Sequence, residues 1–410
     1  MTQTTDATES IASEPSPVPG IPRNVFVLGL VSFAADISSE MLYPVLPIFL
    51  TTTLGTPVSV VGIIEGIAEG TAGASKAPAG WLSDRMPRRR PLVAFGYGLA
   101  AFGKLLLALS FIWPQALVAR FGDRLGKGIR TSPRDALLAD SSTPANRGRV
   151  FGFHRAMDTT GAVIGPLIGL ALIELFGKNH LRLVFLLAVV PAIASVVLVS
   201  LARERKRDVP QHAERVHIDL SGAPARYWMF IGVSLLFAFG NSSDVFLLLR
   251  AKDLGMGLTA LILAYVVYNI SYAGLSFPMG IVADRFGARR MLAAGFFVFG
   301  LVYLGFAWAD RPAYVWLLFA AYGIPLAMTE GIGKAFVSNM VPADRRGSLI
   351  GLYQTGIGLT AVVASVLAGQ LWDRVDPAAP FVLGASTGIA AAVLLAFLAW
   401  RTPAPARLPA

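Results

Sequence analysis

The sequence predicts an all-α membrane protein with twelve transmembrane helices. Its 410 residues are 55% hydrophobic and only 15% charged, whereas about 25% charged residues are typical of a soluble protein. Apolar runs of about 18 residues or more, the length that a spanning helix needs, recur along the whole chain. The excess of Lys and Arg gives a formal charge of +10. Much of this positive charge lies in short loops between apolar runs. This distribution is typical of a membrane protein and excludes the interpretation that the charge serves to bind nucleic acid.

The twelve predicted helices follow one another with short connections. Most are longer than the roughly 20 residues needed to cross the hydrocarbon core, so tilted helices are expected. In chain order they cover 24–52, 58–84, 91–112, 114–139, 148–175, 182–202, 227–250, 258–284, 289–309, 313–340, 348–372 and 380–400.

One long polar segment divides this series in the middle. Residues 203–225 are predicted to form a cytoplasmic loop between two six-helix bundles, 23–202 and 226–401. Residues 1–22 and 402–410 are rich in Thr, Ser, Pro or Ala and are predicted to be disordered cytoplasmic tails. A signal peptide has a basic region before its apolar run. Residues 1–22 have no such region, so they are not expected to be a signal peptide.

The distribution of basic residues predicts the orientation in the membrane. Alternate loops carry most of the Lys and Arg, and such loops face the cytoplasm. The basic loops contain Arg85, Arg88, Arg89, Arg90, Arg147, Arg149, Arg203, Arg205, Lys206, Arg207, Arg285, Arg289, Arg290, Arg345 and Arg346. The opposite loops contain few: Lys178, Arg182, Lys252, Arg311 and Arg374. We therefore expect a multi-pass protein of the inner cell membrane with both termini in the cytoplasm.

A charged motif occurs twice, each time between two predicted helices. It begins at Gly80 (Gly-Trp-Leu-Ser-Asp-Arg-Met-Pro-Arg-Arg-Arg) and again at Gly280 (Gly-Ile-Val-Ala-Asp-Arg-Phe-Gly-Ala-Arg-Arg). Both copies resemble the cytoplasmic-loop signature of the major facilitator superfamily, although Pro87 stands where that family usually has Gly. The resemblance implies the fold of that superfamily, two pseudo-symmetric six-helix bundles. An acid stands beside an arginine at a helix end in both copies, so we expect each copy to hold a closed cytoplasmic gate through Asp84 and Asp284. The other predicted gating residues are Gly80, Arg85, Gly280 and Arg285.

Two further stretches repeat at a similar spacing, near 200 residues. Residues 33–40 align with 237–244, and 147–152 align with 346–351. Three matches in the same order indicate an internal duplication. We expect the two halves to superpose, the first helix on the seventh and the fourth on the tenth.

Charged residues within the predicted spans are the candidate functional residues. Each costs roughly 3 kcal/mol at the bilayer centre on insertion scales, so it requires a partner, water or a function. Asp36 and Glu40 share one face of the first helix, because they are four residues apart. Glu65, Glu69 and Lys76 fall within an arc of about 40° on the second helix.

The fourth helix has the densest charge. Its charged residues, confined to an arc of about 120°, are Arg120, Asp123, Arg124, Lys127, Arg130 and Arg134. Almost no such polarity is expected on the third, sixth, ninth and twelfth helices. On the tenth, Glu330 and Lys334 are four residues apart and are expected to pair with each other. Substrate-binding or proton-coupling roles are predicted for Asp36, Glu40, Glu65, Glu69, Arg124, Lys127, Arg130, Asp158, Asn241, Asp244, Asn269, Glu330 and Lys334.

Internal ion pairing is the alternative interpretation of these charges. Acids of the first two helices could simply neutralise bases of the fourth. This interpretation is favoured for Arg134, Asp135 and Arg155, which lie toward the cytoplasmic end, and structural or gating roles are expected for Lys76, Arg120 and Asp123. Against it, apolar residues would stabilise a packed interior at least as well as buried ion pairs. The superfamily places its first, fourth, seventh and tenth helices along the central cavity, where most of these charges fall.

Two local patterns refine the resemblance. Arg124-Leu-Gly-Lys127-Gly128 is similar to the fourth-helix pattern R-x-x-x-G, whose arginine is implicated in proton coupling in the family. Gly161, Gly165, Pro166 and Gly169 match G-x-x-x-G-P-x-x-G, the antiporter signature of drug:proton exporters. Glycines allow a neighbouring helix to approach closely and proline bends the helix. A plain packing motif is the alternative explanation.

The leading hypothesis is a secondary active transporter that exports a small molecule in exchange for protons by rocker-switch alternating access. Coupling is expected to involve the acids of the first helix and the bases of the fourth, rather than the tenth helix. The alternatives are a proton-coupled importer of a polar metabolite and, from another class, a non-transporting receptor or lipid-handling protein. The substrate's identity and the sign of its charge stay open.

Other functional classes lack support in the sequence. It contains no G-x-S-x-G, phosphate-binding loop or H-E-x-x-H motif, so we expect no enzyme and no cofactor. The chain has no cysteine, and its four histidines are scattered, so no metal site is expected. The expected partners are a small-molecule substrate, protons and the lipid bilayer, with no nucleic acid, and the protein is expected to be a monomer.

Overall fold

The computed structural model describes residues 17–19, 21–142, 147–177, 180–204, 223–341 and 346–401. The predicted tails and most of the 203–225 loop therefore lie outside the described residues, as do the side chains of Arg147, Arg149 and Asp284. All regular structure in the described part of the chain is helical.

Fourteen α-helices and one short π-helix make up these residues. They are α1 (Arg23–Leu42), α2 (Leu46–Ile48), the π-helix (Phe49–Thr53), α3 (Val58–Arg85), α4 (Arg90–Ala108), α5 (Trp113–Asp140), α6 (Arg147–Phe176), α7 (Leu181–Ser200), α8 (Ala225–Gly240), α9 (Val245–Asp253), α10 (Leu258–Phe286), α11 (Ala288–Trp308), α12 (Pro312–Met340), α13 (Arg346–Arg374) and α14 (Ala379–Arg401). The predicted boundaries agree with these bounds within a few residues, apart from two internal breaks.

Ten segments of the described chain are long and apolar enough to cross a membrane by length and composition. Helices α3 and α5 are not among them, because charged residues interrupt their apolar character. Each has 28 residues, which gives a length of about 42 Å and is sufficient to span a bilayer. Together with them, the described residues contain the twelve expected spans.

The first and seventh predicted helices are each broken. Helix α1 ends at Leu42, just before Pro44, whose nitrogen has no hydrogen to donate to a helical bond. Helix α8 ends at Gly240, and α9 starts only at Val245. The intervening residues are Asn241, two serines and Asp244, whose short polar side chains compete for backbone hydrogen bonds. The backbone N–H of Ser243 accordingly donates to Ser365 Oγ over 3.1 Å.

The first of two compact units contains Met1–Val216 and Leu258–Val266. In it α1 packs on α6 and α7, and α5 packs on α3 and α4. Helices α4 and α5 approach closely, since a Cβ added at Gly126 would meet Gly96 O and one at Gly103 would lie 2.7 Å from Ala119 O. The hydroxyl of Ser38 donates to Ala188 O of α7 over 2.6 Å.

The second unit contains His217–Gly257 and Val267–Ala410. In it α11 packs on α12 and α14, and α8 packs on α14. Stacked aromatic rings fill this core, with centroids 4.1 Å apart for Phe237 and Phe296 and 4.0 Å apart for Phe299 and Tyr303. The buried guanidinium of Arg250 donates to the carbonyl oxygens of Phe306, Ala307 and Ala309 at the end of α11.

Candidate functional site

A buried pair of charges joins α3 to α5. Arg120 donates to the two carboxylate oxygens of Glu65 over 2.9 and 2.8 Å. The Glu65 side chain is 0% exposed and that of Arg120 is 8% exposed. Two parallel hydrogen bonds between planar groups fix both side chains, so this pair supports the internal-pairing interpretation for Glu65.

One turn further along, Arg124 lies 3.1 Å from Glu69 of α3. The Glu69 side chain is 41% exposed, whereas that of Arg124 is 7% exposed. The buried Nε of Arg124 has no hydrogen-bond partner among the described residues. Arg124 is therefore held less completely than Arg120 and retains an N–H group for a further acceptor.

Lys104 of α4 is a functional candidate that the sequence analysis missed. It is 3% exposed, donates to Ser39 Oγ of α1 over 3.1 Å and lies 3.7 Å from Asp123 Oδ1 of α5. The expectation that the third predicted span has almost no polarity is wrong at this position. A single lysine in an otherwise apolar helix gives no periodic signal, although its mere presence in a span marks it as unusual.

These residues surround a pocket within the first unit. Its charged walls are Glu40 of α1, Lys104 of α4, and Arg120, Asp123 and Arg124 of α5. The remaining lining is Ser39, Leu42, Tyr43, Leu46, Gly103, Leu107 and Ala119. Three cations and two acids thus share one small space.

The glycine motif of α6 packs against α1 at the turns that carry Asp36 and Glu40. A Cβ added at Gly161 would lie 3.0 Å from Asp36 Cβ, and one at Gly165 would lie 2.8 Å from Glu40 Cβ. A Cβ at Gly169 would lie 2.8 Å from Met41 O. Helix α6 continues through Pro166. The motif therefore packs directly on the backbone that positions Asp36 and Glu40.

Glu40 also receives a hydrogen bond from α10. The Tyr265 hydroxyl donates to Glu40 Oε2 over 2.9 Å, and the Tyr265 ring lies 5.5 Å from that of Tyr43, the residue that follows the end of α1. Tyr265 belongs to Leu258–Val266, which is part of the first unit.

The expected pairing between first-helix acids and fourth-helix bases differs in the structure. Within the described residues no ion pair joins Asp36 or Glu40 to a base of α5, because Arg124 pairs with Glu69. Arg130 instead lies over the Tyr97 ring at 4.4 Å, and Lys127 is exposed. The structure places both acids on α1 and the bases on α5 of the same unit, with no ion pair between them among the described residues.

Asp158 follows on α6, one helical turn after His154. Its Oδ2 lies 3.8 Å from His154 Nδ1, and its Oδ1 is buried with no hydrogen-bond partner in the described chain. His154 in turn contacts Ser32 Oγ of α1 at 2.7 Å.

In the second unit, acids meet tyrosines. Asp244 accepts from Tyr322 over 2.7 Å and from Tyr268 over 3.3 Å. Glu330 accepts from Tyr272 over 2.6 Å. The other two predicted residues, Asn241 and Asn269, are half-buried and buried.

The expected pair of Glu330 and Lys334 is not formed. Both side chains are exposed, and the carboxylate of Glu330 engages the Tyr272 hydroxyl rather than the lysine four residues away on its own helix. At an exposed position an i,i+4 ion pair contributes only about 0.5 kcal/mol, so a well-placed hydroxyl competes with it.

The first copy of the charged motif is tied to neighbouring helices of its own unit. Arg89 lies 2.8 Å from Asp84 and 2.7 Å from Asp140 at the end of α5. The Glu204 carboxylate accepts from the backbone N–H groups of Arg89 and Arg90 over 2.6 and 2.8 Å. Asp84 therefore pairs with Arg89, and the guanidinium of its neighbour Arg85 lies over the Trp81 ring.

The glycines of the two motif copies differ in their surroundings. A Cβ added at Gly80 would lie 3.3 Å from Ser132 Cβ, whereas one at Gly280 would have nothing within 4 Å. Arg285 is exposed. The gate prediction for Asp284 falls on a side chain outside the described residues.

Comparisons with known proteins match nearly the whole chain. The family model described as Major Facilitator Superfamily matches residues 28–249 and 228–410. An uncharacterized MFS-type transporter of Methanocaldococcus jannaschii is 36% identical over 383 residues, 92% of this chain and 95% of the relative. Multidrug resistance protein MdtH of Aeromonas hydrophila is 23% identical over 401 residues, 93% of this chain and 96% of the relative.

Solved structures share the fold at lower sequence identity. A POT family transporter in complex with 5-aminolevulinic acid superposes with a TM-score of 0.82 at 12% identity, over 96% of this chain and 99% of that one.

Proposed function

Because the chain belongs to the Major Facilitator Superfamily, whose members are membrane transporters, we propose that it exports a small molecule in exchange for protons. The observation that carries the proposal is the position of Glu40. Its carboxylate lines a pocket with Lys104, Arg120 and Arg124, yet forms no ion pair with them in the described chain. Glu40 is thus an acid that lies near several cations without forming an ion pair with any of them in the described chain.

Such an arrangement suits proton exchange. Burial favours the neutral form of a carboxyl group, whereas a nearby cation favours the charged form. A change that moves the cation, or that brings substrate into its place, therefore captures or releases a proton. Arg124 suits the role of mobile cation, since its partner Glu69 is half-exposed and its Nε is unsatisfied within the described residues. Asp36, one turn from Glu40, is the second acid of the pathway.

Two observations favour export. The glycine motif of α6 resembles the antiporter signature and packs on the α1 residues that carry both acids. A multidrug resistance protein is among the relatives, at 23% identity. The proposal places the protein in the cytoplasmic membrane as a monomer, with both termini in the cytoplasm.

Reconstituted vesicles test the proposal. We expect a substrate screen in proteoliposomes with an imposed pH gradient to identify a compound whose uphill movement dissipates the gradient. Asp36→Asn or Glu40→Gln should leave downhill substrate movement while proton flux, followed with a pH-sensitive dye, falls to background.

Glu330→Gln provides the control for this experiment, since it removes an exposed acid of the second unit. We expect it to alter affinity while proton flux continues. A Glu330→Gln protein that binds substrate normally but moves no protons would overturn the assignment to α1. Substrate accumulation in the same direction as protons would establish the importer instead.

A further inference from the structure

The hydrogen bond from Tyr265 to Glu40 reaches the proposed proton-carrying acid from a helix that the sequence analysis did not connect with it. We infer that Tyr265 is the positioning residue that sets the protonation of Glu40. The inference deepens the proposed function and rests on it for its role in transport, whereas the bond itself stands on the geometry alone.

The chemistry of the two groups determines which one donates the hydrogen bond and which form of Glu40 the bond stabilises. A tyrosine hydroxyl is a donor, and an ionised carboxylate accepts through either oxygen. A bond donated to the charged form of an acid stabilises that form. The distance of 2.9 Å is that of a good hydrogen bond, and Tyr265 is only 5% exposed. Water therefore competes poorly for the hydroxyl.

Glu40 has several charged neighbours, and Tyr265 is distinct from all of them. Arg124 of α5 and Lys104 of α4 act on it from the walls of the pocket, Lys127 of α5 acts on it electrostatically as well, and Asp36 lies one turn away on α1. Helix α6 presents Gly165, which has no side chain. Among these, Tyr265 is the group that makes a hydrogen bond to Glu40 in the described structure.

Tyr265 lies close to the point along α10 where the helix passes from the first unit to the second. Its segment Leu258–Val266 belongs to the first unit, while the rest of α10 from Val267 belongs to the second. A second polar bond holds the segment, since Thr259 donates to Glu174 of α6 over 2.6 Å. Loss of the contact between this segment and α1 would remove the donor and leave Glu40 readier to accept a proton.

Infrared titration of the purified full-length protein tests the inference without a transport substrate. The infrared band of protonated carboxyl groups is compared between the native protein and Glu40→Gln, and the absorbance that is lost in the variant is assigned to Glu40. In Tyr265→Phe we expect the midpoint of that absorbance to move to higher pH by about one unit, the effect of removing one hydrogen bond to a charged group. Tyr272→Phe, which removes the equivalent hydroxyl from Glu330, should leave the Glu40 midpoint in place.

Two outcomes overturn the inference: an unchanged Glu40 midpoint in Tyr265→Phe, or the same shift in Tyr272→Phe. Once a substrate is known, the pH optimum of transport should move in the same direction in Tyr265→Phe, and this shift should be absent when Glu40→Gln is combined with it. If proton-coupled transport fails for the native protein while the infrared shift occurs, the proposed function is wrong and the positioning role of Tyr265 stands.

Discussion

Glu65 has no exposed surface, and Arg120 compensates its charge through two hydrogen bonds. Removing the Glu65 charge weakens both of these bonds and leaves the buried Arg120 with Asp123, 3.3 Å away, as its remaining acidic partner among the described residues. Glu65→Gln should therefore destabilise the fold by about 3–5 kcal/mol. Glu69→Gln should cost less, because the Glu69 side chain is 41% exposed and water there screens the remaining charge of Arg124. Thermal unfolding of the purified proteins in detergent measures the difference.

A double replacement separates the charge from the packing at the Glu65 site. Glu65→Leu combined with Arg120→Met removes both charges and keeps side chains of similar bulk. It should recover most of the stability that Glu65→Gln loses, because well-packed apolar residues often replace a buried ion pair without loss. Equal melting temperatures for Glu65→Gln and Glu69→Gln would contradict the structural role of the pair.

At this scale the sequence identified the acids but not their partners. Helical spacing places Glu65 and Glu69 on one face, yet it does not reveal which base of α5 each acid meets, because that depends on the rotation of both helices. Neither Lys104 nor Tyr265 was predicted as a site residue, since Lys104 is a single charge in an apolar helix and Tyr265 is one of several polar residues on its helix. Their importance comes from contacts with Ser39, Asp123 and Glu40, all distant in sequence.

Among the helices, the crossing of α1 and α6 depends on the absence of side chains at the glycine motif. A Cβ at Gly165 would lie 2.8 Å from both Glu40 Cβ and Ile37 O. The carbonyl oxygen belongs to the backbone, so the helices themselves must move apart. Gly165→Ala should destabilise the protein by about 1–3 kcal/mol, as overpacking does. The melting temperature in detergent and the Glu40 titration both report this change.

Gly98→Ala is the matched control, since Gly98 also lies within a helix of the first unit and a Cβ there meets nothing within 4 Å. The change should be neutral or stabilise by up to about 1 kcal/mol, because alanine favours helix more than glycine does. If Gly165→Ala melts like Gly98→Ala, the close approach of α1 and α6 does not contribute to stability.

Helix boundaries were predictable because apolar runs and charged loops alternate clearly along the chain. The break between α8 and α9 was not, since residues 227–250 form one apolar run in which Asn241 and Asp244 look like polar residues of a continuous helix. The glycine motif predicted a close helix contact, but only the structure shows that α1 is the partner.

For the molecule as a whole, the duplicated charged motif was more informative than composition, because it fixed the family as well as the class. The substrate does not follow from the same reasoning. Acids and bases within the spans of the first unit nearly balance and several pair with one another, and Asp244 and Glu330 of the second unit accept hydrogen bonds from tyrosines. Groups whose partners lie within the protein carry no information on the charge of a ligand.

The orientation of the whole chain can be tested with single cysteines, because the protein has none of its own. Arg88 lies exposed between α3 and α4, in a basic loop that the positive-inside rule assigns to the cytoplasm. Asp310 lies exposed between α11 and α12, in a loop on the opposite side. A membrane-impermeant maleimide should label Asp310→Cys in intact cells, but Arg88→Cys only after permeabilisation. The native chain, which offers no thiol, sets the background. Labelling of Arg88→Cys but not Asp310→Cys in intact cells would reverse the orientation and place both termini outside.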